Sequence, residues 1–239
     1  AKNNLENAQR FSTQADDYYT EVVSRIYELY ELKLEENNAM DFDDLLMKTT
    51  ELFSFNDEIL RFYQDKFKYI LVDEYQDTNH SQYILVKLLA QKHQNLCVVG
   101  DPDQSIYRWR GADINNILSF ERDYPQAKVV KLERNYRSTA CILEAANAVI
   151  EHNCSRKEKN LWTERPQGDK ISLVMGSDDQ EEAALLISEM LSLKADEGYS
   201  FGDMAVLYRT HSQSRSIEEE LVRASINYQI FGGTKFYER

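Results

Sequence analysis

Between Ala8 and Phe53 the chain carries neither glycine nor proline, and apolar residues recur at helical spacing in Val22, Ile26, Leu29, Leu32 and Leu34. This predicts a helical, acidic segment. Two short apolar runs follow, Tyr69 to Val72 and Leu96 to Val99, each leading into Asp, Glu or Gly, with a helical stretch from Ser81 to Gln91 between them. Continuous apolar runs that alternate with helices predict a parallel sheet covered on both faces. A third run, Val129 to Leu132, leads to a helix over roughly 139–152. The pattern then restarts, with apolar runs at Ile171 to Met175, Met204 to Tyr208 and Tyr228 to Phe231 separated by helices near 180–193 and 213–224. The hydrophilic stretch Ser155 to Asp169, with Pro166 and Gly168, reads as a loop. No repeat of solenoid period is present.

Composition narrows the class. With 42% hydrophobic and 29% charged residues and three prolines in 239 residues, the chain reads as a soluble, helix-rich protein. No apolar run approaches the ~18 residues of a membrane span, and Ala1 to Arg10 does not resemble a secretion signal, so a cytoplasmic location and no membrane partner are expected. Cys97, Cys141 and Cys154 form no C-x-x-C pair, which disfavours a zinc site or a disulfide frame. A formal charge of −13 argues against a surface that coats a phosphate backbone throughout. Any nucleic-acid contact must be local.

The first chemical signal stands where the first strand ends, in Asp73-Glu74-Tyr75-Gln76-Asp77. In open parallel sheets the carboxyl ends of the strands form the ligand crevice. Adjacent acids there suit Mg-ATP chemistry, Asp73 holding Mg2+ through water and Glu74 orienting or deprotonating the attacking water. A bare pair of acids after a strand also serves as a turn former, and Asp73, Glu74 and Asp77 could be read as a nuclease metal cluster. That last reading is disfavoured because two of the acids are adjacent and no His or Lys completes the set.

The second signal follows the second strand, where Gly100-Asp101-Pro102-Asp103-Gln104 makes a turn before Tyr107-Arg108-Trp109-Arg110. Interleaved aromatics and arginines suit single-stranded nucleic acid, since any base can stack on a ring while a guanidinium pairs with phosphate. The alternative is a core aromatic pair flanked by snorkelling arginines.

The full strings carry a resemblance. Leu71-Val72-Asp73-Glu74-Tyr75-Gln76-Asp77-Thr78-Asn79 resembles, position for position, the Walker B motif of the superfamily 1 DNA helicases of the UvrD, PcrA and Rep group. Val98 to Ala112 and Leu132-Glu133-Arg134-Asn135-Tyr136-Arg137-Ser138 resemble the next two motifs of that group. The resemblance implies that Gln104 senses the γ-phosphate, that Tyr107, Trp109 and Arg110 meet DNA, that Tyr136 stacks on adenine and that Arg137 reaches the γ-phosphate. Met40-Asp41-Phe42-Asp43-Asp44-Leu45-Leu46 is similar to a segment whose Phe42 lies against a base, with helix packing as the other reading. Ala205 to Thr210 and Tyr228 to Gly233 match the second motor domain of the group. There Arg209, Thr210 and His211 are read either as DNA contacts or as plain loop residues.

A phosphate-binding loop of the form G-x-x-x-x-G-K-[ST] has no match in the sequence. The family places that loop earlier and its last motifs later, so Ala1 and Arg239 are expected not to be natural ends. The implied fold is α/β, with incomplete RecA-like lobes of the P-loop NTPase type and parallel sheets. Residues 1–62 are expected to form a helical subdomain, 63–137 the second half of a first motor domain and 138–239 the first half of a second. The implied function is ATP-dependent 3′ to 5′ translocation and unwinding on single-stranded DNA and single/double-strand junctions, completed by the missing portions of the same motor. The rival reading is a nucleotide-independent single-strand-binding or partner-docking module.

Overall fold

The computed structural model describes residues 1–153 and 159–231. They belong to two compact units, Ala1–Gly168 and Asp169–Arg239. Cys154, most of the segment before Lys159, and Gly232 and Gly233 lie outside the described residues.

In the first unit the expected helical segment resolves into α1 (Ala8–Thr13), α2 (Tyr18–Glu36) and α3 (Phe42–Phe55), followed by α4 (Asp57–Lys66). Short polar side chains set the breaks. Asp17 accepts the Thr20 amide at 2.7 Å, Asp41 accepts the Asp44 amide at 2.8 Å and Asn56 accepts the Ile59 amide at 3.0 Å, each satisfying a helix-start N–H that has no partner inside its helix. Met47, Thr50 and Phe53 of α3 are buried at helical spacing, and this face packs on α5 (His80–Ala90). Gln64 Nε2 of α4 donates to the Leu88 carbonyl of α5 at 2.8 Å. The apolar stripe of α2 behaves differently: Ile26, Leu29 and Leu32 are exposed.

The two expected strands form, β1 (Ile70–Val72) and β2 (Leu96–Val98), paired in parallel with Ile70 opposite Leu96 and Val72 opposite Val98. The strands, linked through α5, give the α/β class with a small, incomplete parallel sheet. The sheet is not covered on both faces. Ile70, Val72, Leu96 and Val98 are partly buried, whereas Leu71 is 77% exposed and its neighbour Cys97 is exposed. Tyr75, fully buried, meets Phe120 edge-on at 5.8 Å and so anchors α7 (Phe120–Asp123) beside α6 (Asn115–Leu118). The helix expected near 139–152 is α8 (Ala140–Ile150).

The other four expected strands are corrected by the structure. Val129 to Leu132, Ile171 to Met175, Met204 to Tyr208 and Tyr228 to Phe231 carry no strand ladder among the described residues. A strand exists only when a neighbour takes up its N–H and C=O groups, and apolar composition cannot supply that neighbour. Leu132 and Leu173 are accordingly exposed, and Leu207 is 95% exposed.

The second unit is held by α9 (Asp179–Asp196) and α10 (Ser214–Arg223). Ile187, Met190, Leu221 and Ile226 make its core, with Phe201, Met204, Val206 and Tyr228 against it. Its buried Glu218 accepts from Ser214 Oγ at 2.8 Å and from Tyr228 OH at 3.0 Å, which satisfies the carboxylate. No helix among the described residues is long and apolar enough to cross a membrane.

Candidate functional site

The site grows from the carboxyl ends of β1 and β2. Past Val72 the backbone turns sharply and is stitched to the other strand end, with Val99 N donating to the Val72 carbonyl at 2.8 Å and Tyr75 N to the Val99 carbonyl at 3.0 Å. Asp73 Oδ1 accepts the Glu74 amide at 2.9 Å, and both acids are exposed. Glu74 itself has φ 51°, the left-handed region in which a side chain crowds its own backbone at a cost of about 1–3 kcal/mol. The surroundings hold it there.

Chief among them is Gln76, 1% exposed. Its Nε2 donates to Glu74 Oε2 at 2.7 Å and its Oε1 accepts the Asp101 amide at 2.9 Å. Gly100 allows this approach, since a Cβ there would stand 2.6 Å from Gln76 Oε1 and 3.1 Å from the Tyr75 nitrogen. Asp101 then caps the 3-10 turn Pro102–Gln104, taking the Asp103 amide at 3.0 Å and Gln104 Nε2 at 2.8 Å. Lys159 pairs with Asp101 and, at 3.3 Å, with Asp103. Burial alone would raise the Asp101 carboxyl, but the hydrogen bonds from Lys159, Gln104 and the Asp103 amide outweigh it and hold the group below the usual carboxylate range. Asp77 moves the other way, pushed up first by burial and then by the charge of Glu74. The structure therefore brings Asp73, Glu74 and Gln104 onto one polar edge. Two exposed acids at a strand end, Asp73 and Glu74, are hard oxygen donors of the kind Mg2+ takes.

The aromatic and basic run sits just beyond. Trp109 is 71% exposed, and the Arg110 guanidinium lies 4.6 Å from its ring centre and 5.2 Å from that of Tyr107. The snorkelling alternative is not what forms, because the indole is outside and the arginine rides on it. The run closes at Gly111, φ 93°, and returns to the first strand's loop: Ala112 bridges Asn79, Asp113 N donates to the Thr78 carbonyl at 3.0 Å, and Asn116 Nδ2 donates to the same carbonyl at 3.0 Å. Asn3, from the N-terminal turn Lys2–Asn4, accepts from Asn79 Nδ2 at 2.8 Å and packs beneath Gly111.

Tyr136 and Arg137 make their contacts elsewhere in the first unit. The Arg134 guanidinium lies 4.8 Å from the Tyr136 ring centre and 5.6 Å from that of Trp162, while Asn135 Oδ1 accepts the Arg137 amide at 2.9 Å and the Ser138 amide at 2.8 Å on the way into α8. Both side chains are exposed. Phe42, at the first position of α3, is 89% exposed, so helix packing does not account for it. Arg209, Thr210 and His211 belong to the second unit and are exposed; Gln213 Oε1 accepts the Arg209 and Thr210 amides at 3.0 and 2.9 Å, and His211 meets Tyr208 edge-on.

Sequence reasoning missed the supporting residues Gln76, Asp101, Lys159 and Asn3. A signal for the first two existed, since both sit inside the quoted strings; for Asn3 and Lys159 there was none.

Comparison with known proteins follows the same lines. Residues 1–125 match the family model of the UvrD/REP helicase N-terminal domain and residues 130–239 that of the UvrD-like helicase C-terminal domain. Over its whole length the chain is 56% identical to the ATP-dependent DNA helicase PcrA of Bacillus subtilis, of which it covers 32%. It is 52% identical over 238 residues to the protein of that name from Staphylococcus epidermidis and 51% identical to that of Staphylococcus aureus, covering 32% of each. The chain thus spans about a third of the length of these relatives.

Proposed function

Because the chain belongs to the UvrD/REP helicase family, we propose that it forms part of an ATP-dependent DNA helicase, moving 3′ to 5′ on single-stranded DNA and opening duplex at single/double-strand junctions in the cytoplasm. The remainder of the motor supplies the phosphate-binding loop, which has no match in this sequence. In this reading residues 1–62 belong to a helical subdomain, 63–137 to the first motor domain and 138–239 to the second. That is a division by role, whereas the compact units divide the chain by packing.

Asp73 holds Mg2+, which when bound neutralises charge on the nucleotide phosphates. Glu74 takes the proton of the attacking water, Gln104 registers the γ-phosphate, Tyr136 stacks on the adenine and Arg137 faces transition-state charge. Phe42, Tyr107, Trp109 and Arg110 meet the DNA, and Arg209, Thr210 and His211 add contacts from the second motor domain. The observation that carries this reading is the short bonded path between the acids of the first strand end and the turn that bears Gln104, with the exposed Trp109 and Arg110 following on the same segment. A motor needs its hydrolytic and its DNA-contacting groups coupled in this way.

Binding to single-stranded oligonucleotides tests the DNA half. In a full-length motor carrying this sequence, Trp109→Ala should weaken binding by about 1–3 kcal/mol, one stacked base, with little sequence preference. Arg110→Ala should flatten the salt dependence, lowering the slope of log K against log salt by about 0.7 for one lost phosphate contact. Parental slope in the Arg110 variant would leave it only a packing role against Trp109. Parental affinity in the Trp109 variant would remove the stacking platform.

A further inference from the structure

The polar groups at the strand ends form an unbroken relay from Glu74 to Gln104. Glu74 Oε2 accepts from Gln76 Nε2 at 2.7 Å, Gln76 Oε1 accepts the Asp101 amide at 2.9 Å, and Asp101 Oδ2 accepts from Gln104 Nε2 at 2.8 Å. The middle member has no freedom. Gln76 is buried, and its amide can face only one way, since a flip would set its oxygen against the Glu74 carboxylate and its NH2 against the Asp101 N–H. Ser105 Oγ also donates to the Gln76 carbonyl at 3.3 Å, so the residue grips the Gln104 segment by main chain as well as side chain.

Glu74, by contrast, is exposed and sits on strained backbone. A long, solvent-facing carboxylate samples several rotamers unless something fixes it, and a charge-assisted bond from a buried amide is such a fixture. We propose that Gln76 is a positioning residue that fixes the Glu74 carboxylate for water attack and ties its position to the Gln104 turn through Asp101. The proposal rests on the reading of Glu74 as the base. A shift of the Gln104 turn therefore acts on the Glu74 carboxylate through these bonds, and a displacement of that carboxylate acts on the turn.

The test uses a full-length motor carrying this sequence. Gln76→Met keeps the volume but removes both amide bonds. Gln76→Glu keeps an acceptor for the Asp101 amide but sets a second carboxylate oxygen where the donor to Glu74 stood, so it removes that bond and repels the Glu74 carboxylate, and it decides the matter if the methionine variant folds poorly. Both should lower kcat by roughly 10- to 100-fold, the scale of a misplaced catalytic group, with the KM for ATP within a few fold of the parent. In a Glu74→Gln background, Gln76→Met should lower single-turnover hydrolysis no further, because its effect passes through Glu74. A parental kcat in Gln76→Glu, or the same loss from Gln76→Met in both backgrounds, overturns the proposal while leaving Glu74 as base. If Glu74→Gln alone hydrolyses ATP at near the parental rate, the reading beneath it falls as well.

Discussion

Replacing Glu74 by glutamine in a full-length motor carrying this sequence should cut ATP turnover by about 10²- to 10⁴-fold, the usual worth of a positioned general base, with nucleotide affinity nearly unchanged. The substitution is clean for a structural reason. A glutamine carbonyl at the Oε2 position can still accept from Gln76 Nε2, the side-chain length is kept, and the left-handed backbone is no worse suited to glutamine than to glutamate. Asp73 keeps its bond to the residue 74 amide. What is lost is the ability to take a proton from water. Steady-state hydrolysis, paired with titration of a fluorescent ATP analogue, reads the two quantities separately. Turnover within a few fold of the parent would rule out Glu74 as the base, and a large loss of affinity would make it a binding residue instead.

The second large effect lies away from the chemistry. Lys2, 6% exposed, sets its ammonium against Glu31 at 2.5 Å, Asp41 at 2.9 Å and Asp44 at 2.9 Å, tying the N-terminal turn to α2 and α3. Lys2→Met leaves three carboxylates around an uncharged side chain and should destabilise this part of the protein by about 3–5 kcal/mol, as removal of one partner of a buried ion pair does. Thermal unfolding, with hydrogen exchange of α2 and α3, measures it.

The pH dependence has a definite sign. Burial would raise the Asp41 carboxyl and lower the Lys2 ammonium, yet in both the opposite charges win, so Asp41 sits below its usual value and Lys2 above its own. The Asp41 contribution is present above the ordinary carboxylate range, about pH 4, and is lost as pH falls through the depressed value. The Lys2 contribution is complete below the ordinary lysine range, about pH 10, and is lost only as pH rises through the raised value. Parent and variant should therefore differ most between those limits and converge toward acid, where the Asp41 carboxyl takes a proton and its pairing with Lys2 is lost. A gap that stays constant down to pH 3 would mean that Lys2 acts by packing alone.

These two sites differ in how far the sequence revealed them. Asp73 and Glu74 stand out as candidates because acids at a strand end are consecutive in the sequence, and Gln104 through the resemblance of its string, whereas the helix starts at Asp17 and Asp41 come only from the structure, since the segment reads as one helical stretch. The cluster on Lys2 joins residues far apart in the chain, and nothing in the pattern around Lys2 distinguishes it from a surface lysine. Apolar periodicity misled in two ways. Ile26, Leu29 and Leu32 form a helical stripe that stays exposed, and Leu132, Leu173 and Leu207 lie in runs that read as strands but find no neighbour among the described residues. Periodicity reports which face a segment offers, not whether anything takes it up. Gln76 was in view within its motif, but only the distances to Glu74 and Asp101 show that it joins the two.

The left-handed backbone at Glu74 bears on how this sequence can drift. Glycine, asparagine and aspartate are the residues at ease at φ 51°, and each would relax the turn. Glycine and asparagine bring no carboxylate, and aspartate is one methylene too short to present its charge where Gln76 Nε2 and an attacking water would meet it. With Glu74 as the proposed base, mutations that ease folding at this position are the same ones that would silence the motor, so on that proposal stability and activity pull against each other at a single residue.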